Sequence, residues 1–198
     1  TGYIIANFVS GGFPMNSSQR KLLQALETVL DNQPIETVTI TEILLAATFY
    51  RQFADKSAFF TWVLEYYLRD LAYAQLNDVH TPAEFFTNYF NYIYTHHVMF
   101  KTFTNSFVWP QFTQRIQENA EKEYHRFLTS QSADTTRVRI LTNYVVSAHT
   151  GVVIKWLHED PLTPPAIMAS TMTSLTTGAM QKMGFNFAKM FPLPSNRA

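Results

Sequence analysis

Apolar side chains recur along this chain with a spacing of three and four, the period of one helix face. The clearest first run is 18–32, where Leu22, Leu23, Leu26, Val29 and Leu30 line up and Ser17 or Ser18 offers a cap. Gln33-Pro34 stops it, residues 35–39 read as a short extended link, and Thr41 is expected to cap a second helix from Glu42 that turns Ile43, Leu44 and Ala47 inward. Asp55 caps a long helix carrying Phe59, Phe60, Val63, Tyr67, Leu71 and Ala74, with Leu76 as its expected end. Thr81-Pro82-Ala83-Glu84 holds three agreeing start signals: a threonine cap, a proline at the first helical position and the glutamate of a capping box. The helix it opens carries Phe85, Phe86, Tyr89, Phe90, Ile93 and Tyr94 and fades near His96-His97.

Further on, a short helix is expected over 101–108 and a longer one over 110–128, with Phe112, Ile116, Ala120 and Phe127 on one side and a polar, solvated face over 114–126. Asp134 caps a strongly apolar helix over 137–158, inside which Gly151 reads as a place of close backbone approach. Thr163-Pro164-Pro165-Ala166 opens the last helix, with Ile167, Met168, Met172, Leu175 and Met180 on one stripe and Gly184 at its end. The aromatic, proline-bearing tail 185–198 is expected to dock in part. Residues 1–14 are apolar without a preceding basic stretch and read as an extension or expression remnant ahead of Met15, not as a signal peptide.

Composition sharpens this into an all-α reading. Glycine is scarce (6 of 198) and prolines sit at the edges of periodic segments, while 17 Phe, 10 Tyr and 3 Trp supply a large core. No run approaches the ~20 apolar residues of a membrane span. The absence of cysteine excludes disulfides and thiolate chemistry. Formal net charge is zero, so global charge by itself points to no nucleic acid.

The stretch 37–60, TVTITEILLAATFYRQFADKSAFF, resembles the DNA-binding head of TetR-family transcriptional regulators. Thr39, Thr41, Glu42, Ile43, Ala46 and Ala47 match the first half of the family pattern, and Thr48, Phe49, Tyr50, Arg51, Phe53, Asp55, Lys56 and Phe59 the second. The resemblance implies a three-helix helix-turn-helix head over 15–56 and a larger helical effector-binding and dimerisation body over 57–184. It also implies a homodimer that sets one recognition helix in the major groove of each half of a palindromic operator. Carried over by position, Thr39, Thr41, Thr48, Tyr50, Arg51, Gln52 and Lys56 would face DNA. Thr39 and Thr41 open the second helix, Tyr50 and Lys56 reach phosphates, and Phe49 and Phe53 pack the head. The family's effector pocket would fall among Tyr66, Phe86, Tyr89, Phe90, Ile93, His97, Phe103, Phe107 and Trp109, aromatic walls with a few polar groups. Val145, Val152, Trp156, Ile167 and Leu175, on the last two long helices, would suit a dimeric four-helix bundle. The implied setting is a bacterial cytoplasm.

Two features depart from the pattern. About five residues of turn are lacking where Ala47 meets Thr48, and two helices need 3 to 4 residues to reverse direction. The segment 15–60 also holds four bases (Arg20, Lys21, Arg51, Lys56) and five acids (Glu27, Asp31, Glu36, Glu42, Asp55), a net of −1, whereas phosphate neutralisation asks for positive charge. Two readings stay open: the sequence skips a mobile stretch of the native chain at this join, or the turn is deleted and the head no longer reads bases. A metal site is not expected, because the adjacent His96 and His97 point to different helix faces and His125 lacks a spaced partner. No glycine-rich phosphate loop or nucleophile elbow occurs, so neither an enzyme nor a cofactor is expected.

Overall fold

The protein is described by a computed structural model that covers residues 15–30, 32–33, 35–43, 49–76 and 78–191. Its regular elements there are helices: α1 (Ser17–Leu30), α2 (Ile40–Ile43), α3 (Lys56–Leu76), α4 (Pro82–Thr95), α5 (His97–Thr104), α6 (Trp109–Thr129), α7 (Thr135–Leu157) and α8 (Pro165–Lys182), then a 3-10 turn, Phe187–Met190. None of the described helices is long and apolar enough to cross a membrane. The join at Ala47–Thr48, the segment 1–14 and the tail 192–198 lie outside the described residues.

The start signals act as read at three of the helices. Asp55 Oδ1 accepts from Ala58 N at 2.8 Å to start α3. Thr81 and Glu84 close a full capping box on α4, and Asp134 Oδ1 accepts from Arg137 N at 2.9 Å on α7. Two starts differ. Asn16, not Ser17 or Ser18, caps α1: its Oδ1 accepts from Gln19 N at 2.8 Å and its backbone N–H donates to Gln19 Oε1 at 3.1 Å, a reciprocal pair of the capping-box kind. Thr39, not Thr41, stands ahead of α2, its amide donating to the Glu42 carboxylate at 2.6 Å. The short helix expected over 101–108 occurs earlier, as α5, after a break at His96. The last helix ends as expected. Gly184 takes φ +84, while Gly184 N donates to Gln181 O and Phe185 N to Met180 O, the bonding that a left-handed residue past a helix end allows.

A small head gathers around α1. Leu22 and Leu26 are fully buried with Ile35, Val38, Ile43, Phe49 and Phe53. The head meets the body along α3, where two neighbouring rings diverge. Phe59 stands edge-on to Phe49 and Phe53, at 5.5 and 5.0 Å, inside the head. Phe60 packs on Phe103 of α5 and on Phe107, at 6.3 and 6.2 Å, inside the body. In the body, α4 lies between α3 and α8, and α7 packs on α6, α5 and α8.

The stripe expected on α8 divides. Met172 and Met180 face the core with Ala169 and Thr176, while Ile167 and Leu175 are more than half exposed. Gly151 meets nothing within 4 Å where a Cβ would stand, so among the described residues no other element comes close to it there.

Replacing Phe59 by Ala should cost about 3–5 kcal/mol, the range for a buried Phe truncation, because Phe59 is fully buried at the seam. Urea unfolding followed by helical circular dichroism reads this directly, and a loss under about 1 kcal/mol would mean that the seam does not hold head and body together.

Candidate nucleic-acid interface and effector body

The head sorts its aromatic residues by role. Phe49 is fully buried and Phe53 nearly so, whereas Tyr50 is 57% exposed. Phe49 holds the Tyr50 ring edge-on at 5.5 Å, so a core side chain positions a hydroxyl-bearing neighbour at the surface. Lys56, the first residue of α3, has its ammonium 3.2 Å from the Glu36 carbonyl oxygen and 5.4 Å above the Phe60 ring. This cation is held against the head on a short tether. Gln52 accepts from the Asn16 side-chain amide at 3.1 Å. Arg51 is exposed. Thr39 and Thr41 are exposed with their hydroxyl oxygens 3.1 Å apart. The Thr39 amide and hydroxyl both donate to Glu42, which holds that carboxyl below its ordinary range. A phosphate at the start of α2 would therefore have to displace Glu42. Thr48 lies outside the described residues.

The head is tied to the body by a partly buried group of polar side chains that sequence reasoning missed. The Tyr67 hydroxyl of α3 donates to Glu27 of α1. The Tyr92 hydroxyl of α4 donates to Asp70 at 2.8 Å. The His96 ring sits between the Tyr92 and Tyr67 rings, at 4.5 and 5.2 Å. Burial lowers its pKa, while the Asp70 and Glu27 carboxylates pull the other way. Desolvation and the neighbouring carboxylates raise both tyrosines. Tyr92 and His96, with Ala74, Asn88, Asn91 and Thr95, also line an open cleft of about 400 Å³. No signal in the sequence pairs Glu27 with a residue forty positions away.

The residues expected to line an effector pocket are spread over α3, α4, α5, the turn after it and α6, with Phe86, Tyr89 and Phe90 in ring contact on α4. Phe86, Phe90, Ile93 and Phe103 are buried, and Phe107 is 55% exposed. Phe86 stacks on Phe90 and meets Phe187 and the ring of His149, while Phe103 packs across the body on Phe60. Tyr66, Tyr89, His97 and Trp109 are half-buried. Tyr66 stacks on Trp62, and His97 bonds the Tyr94 carbonyl through Nδ1 at 2.8 Å.

A polar group inside the body was likewise not foreseen. His149 Nε2 of α7 lies 2.8 Å from Thr176 Oγ1 of α8, with Phe86 and Tyr124 rings against the imidazole at 5.2 and 6.1 Å. Burial pushes this histidine down to about 4. Its signal was available: it is the one acidic or basic side chain between 140 and 154.

On the outside of α7 and α8 the expected dimer residues divide too. Val145 and Trp156 are core residues of the single chain, the Trp156 indole donating to Thr163 O at 2.8 Å and meeting Phe90 edge-on. They are consumed by the protomer's own packing. Val152 is half-buried, and Ile167 and Leu175 remain outward with Ile140 and Tyr144. A groove of about 620 Å³ runs past Tyr144, Leu175 and Gly178.

A small helical head joined through one long helix to a larger helical body defines a class of regulator-like folds, and similarity to known proteins places the chain within one. Residues 80–178, half of the chain, match the family model described as a transcriptional regulator C-terminal region, of TetR type. The chain belongs to the TetR family of transcriptional regulators. Among solved structures, the dihydroxyacetone kinase operon activator DhaS superposes with a TM-score of 0.63 at 12% identity, covering 88% of this chain and 98% of that one. At that identity the likeness concerns the fold. No curated protein matches.

The depressed His149 sets a pH dependence. Its folded pKa lies below its unfolded value, so the stability it carries is present above about pH 6.5 and is lost as pH falls toward about 4. At ~1.4 kcal/mol per unit and with part of the residue exposed, the loss should be on the order of 2 kcal/mol. His149→Gln should flatten this part of the stability curve in urea titrations between pH 7 and 4, and an unchanged slope would mean that the imidazole stays solvated.

Proposed function

We propose that this protein is a homodimeric regulator that binds a roughly palindromic operator in a bacterial cytoplasm, represses the gene beside it, and is released by a small apolar or aromatic effector in the body. In this reading residues 15–56 form the DNA-binding head and 57–184 the effector and dimerisation body, with 185–198 as a tail. The observation that carries it is Tyr50, outward on a ring anchored by the buried Phe49, in a chain whose body matches the family. Lys56, Arg51, Gln52 and Thr41 supply further donors on the same head, and Thr48 and Thr39 complete the set that the family pattern assigns to DNA. These groups position a protein on phosphates, and base reading is left to the turn region near Thr48.

Dimerisation is proposed through the outer faces of α7 and α8. Ile140, Tyr144, Ile167 and Leu175 are exposed apolar groups there, and Gly151 and Gly178 leave open space for a close approach. Val152 joins this face from the half-buried side. Transmission to the head runs through Glu27–Tyr67 and the His96 stack, since an effector acts only by favouring one arrangement of such a link over another.

Activation in place of repression is a second reading of the same binding, favoured by the structural likeness to DhaS, which is itself an operon activator. A third, a regulator-like protein whose head no longer reads DNA and which acts through a small molecule or protein partner, is favoured by the head's net charge of −1.

Binding to DNA upstream of the protein's own gene, measured by fluorescence anisotropy over a salt series, tests the reading. Sequence-selective affinity that weakens steeply with salt is expected, with Tyr50→Phe reducing it about three- to tenfold, the worth of one hydrogen bond. Weak binding that ignores sequence at low salt would sink the operator reading and leave the third. Leu175→Glu should convert dimer to monomer in sedimentation, and a dimer that persists would move the interface elsewhere.

A further inference from the structure

The C-terminal turn sits where a ligand would. After Gly184 reverses the chain, Phe187 drops into the body with 1% of its surface exposed. Its ring lies among Phe85, Phe86, Tyr124 and Phe127, with centroids 6.2 to 6.4 Å away. The Tyr124 ring, stacked on Phe187, leads to polar groups. The Tyr124 hydroxyl is buried without a hydrogen-bond partner among the described residues, the nearby Tyr89 helps desolvation to raise its pKa, and His149 borders Tyr124 with its Nε2 engaged by Thr176.

An unpaired buried hydroxyl costs about 1–3 kcal/mol, and the apolar ring stacked on Tyr124 cannot recover that cost. The segment that supplies the ring is fastened mainly by its own buried rings, Phe185, Phe187 and Phe191, so apolar packing that another aromatic ring could replace holds it in place. It is a four-residue 3-10 turn, and Gln131 is its side-chain hydrogen-bond partner from the body, accepting from Asn186 N at 3.0 Å and donating to Asn186 O at 3.3 Å.

We propose that Phe187 is a built-in plug in a binding site whose floor is Tyr124, Tyr89 and His149, and that the site takes a small neutral aromatic molecule bearing one hydrogen-bond acceptor. The ring size follows from the side chain that now fills the place. The acceptor follows from the unpaired Tyr124 O–H. Neutrality follows from the surroundings: His149 is kept uncharged by burial, and no acidic or basic side chain joins these walls among the residues named. Binding requires the turn to leave, so ligand and C-terminal segment exclude each other. This specifies the effector site within the function proposed above, but its test reads the body alone, so a failure of operator binding leaves it standing.

The test uses p-cresol and its non-hydroxylated counterpart toluene, with the full chain, by calorimetry and hydrogen exchange. Gln131→Ala, at a position outside the core, should raise p-cresol affinity at least fivefold, because it loosens the plug without touching the floor. In the unmodified protein, saturating p-cresol should speed amide exchange over 185–191. Phe187→Ala should bind p-cresol about tenfold more tightly than toluene, and Tyr124→Phe added to it should abolish that preference. A plain cavity would favour toluene or neither. Toluene binding as well as p-cresol with Tyr124 intact, or exchange over 185–191 unchanged at saturation, overturns the proposal. If Phe187→Ala does not fold, the Gln131→Ala result decides: an unchanged affinity overturns it.

Discussion

Two adjacent phenylalanines on one helix carry the architecture. Successive helix positions are separated by about 100°, so Phe59 and Phe60 cannot point the same way. One enters the head between Phe49 and Phe53, and the other enters the body against Phe103. The core is accordingly continuous from Leu22 to Phe191, and α3 is a shared wall in place of a linker. A rotation or slide of α3 would disturb both cores together, which is the condition under which a change in the body can be felt by the head. The Tyr67–Glu27 hydrogen bond adds direction to this seam, since apolar packing alone tolerates small slips more readily than a paired carboxylate does.

The body places polar groups where apolar ones would have packed with less cost. His149 with Thr176, Tyr92 with Asp70, and the unpaired Tyr124 hydroxyl lie at junctions of different helices. Each such group ties its helices to one relative arrangement, or leaves a cost that another partner could relieve. A purely structural bundle gains nothing from Tyr124 over phenylalanine at this position. Departures from the best local packing are expected to cluster where a protein binds or switches.

Much of the fold was legible because it depends on local physics. Asp55, Thr81 with Glu84, Asp134 and Gly184 act through bonds within a few residues of themselves, so their roles can be read from short stretches. The burial of Phe49 and Phe53 followed from the head's pattern, and Tyr50 proved to be outward. The end of α4 near His96 was read correctly, and what was misplaced lies beside such signals: Asn16 caps α1 in place of Ser17 or Ser18, and α5 starts at His97 directly after that break.

The sequence by itself determined the helices, their main end signals and the division of aromatic from polar faces, since periodicity and capping act over one or two turns. It could not say which apolar face of α7 and α8 is consumed inside the protomer. Trp156 and Leu175 are both large and apolar, yet one is buried and the other open. Only the tertiary structure decided that, along with the pairing of Tyr67 with Glu27, the scattering of the expected pocket residues and the placement of Phe187 over Tyr124. Each of these depends on elements distant in sequence meeting at one point, and periodicity within a helix carries no information about which neighbour will cover it.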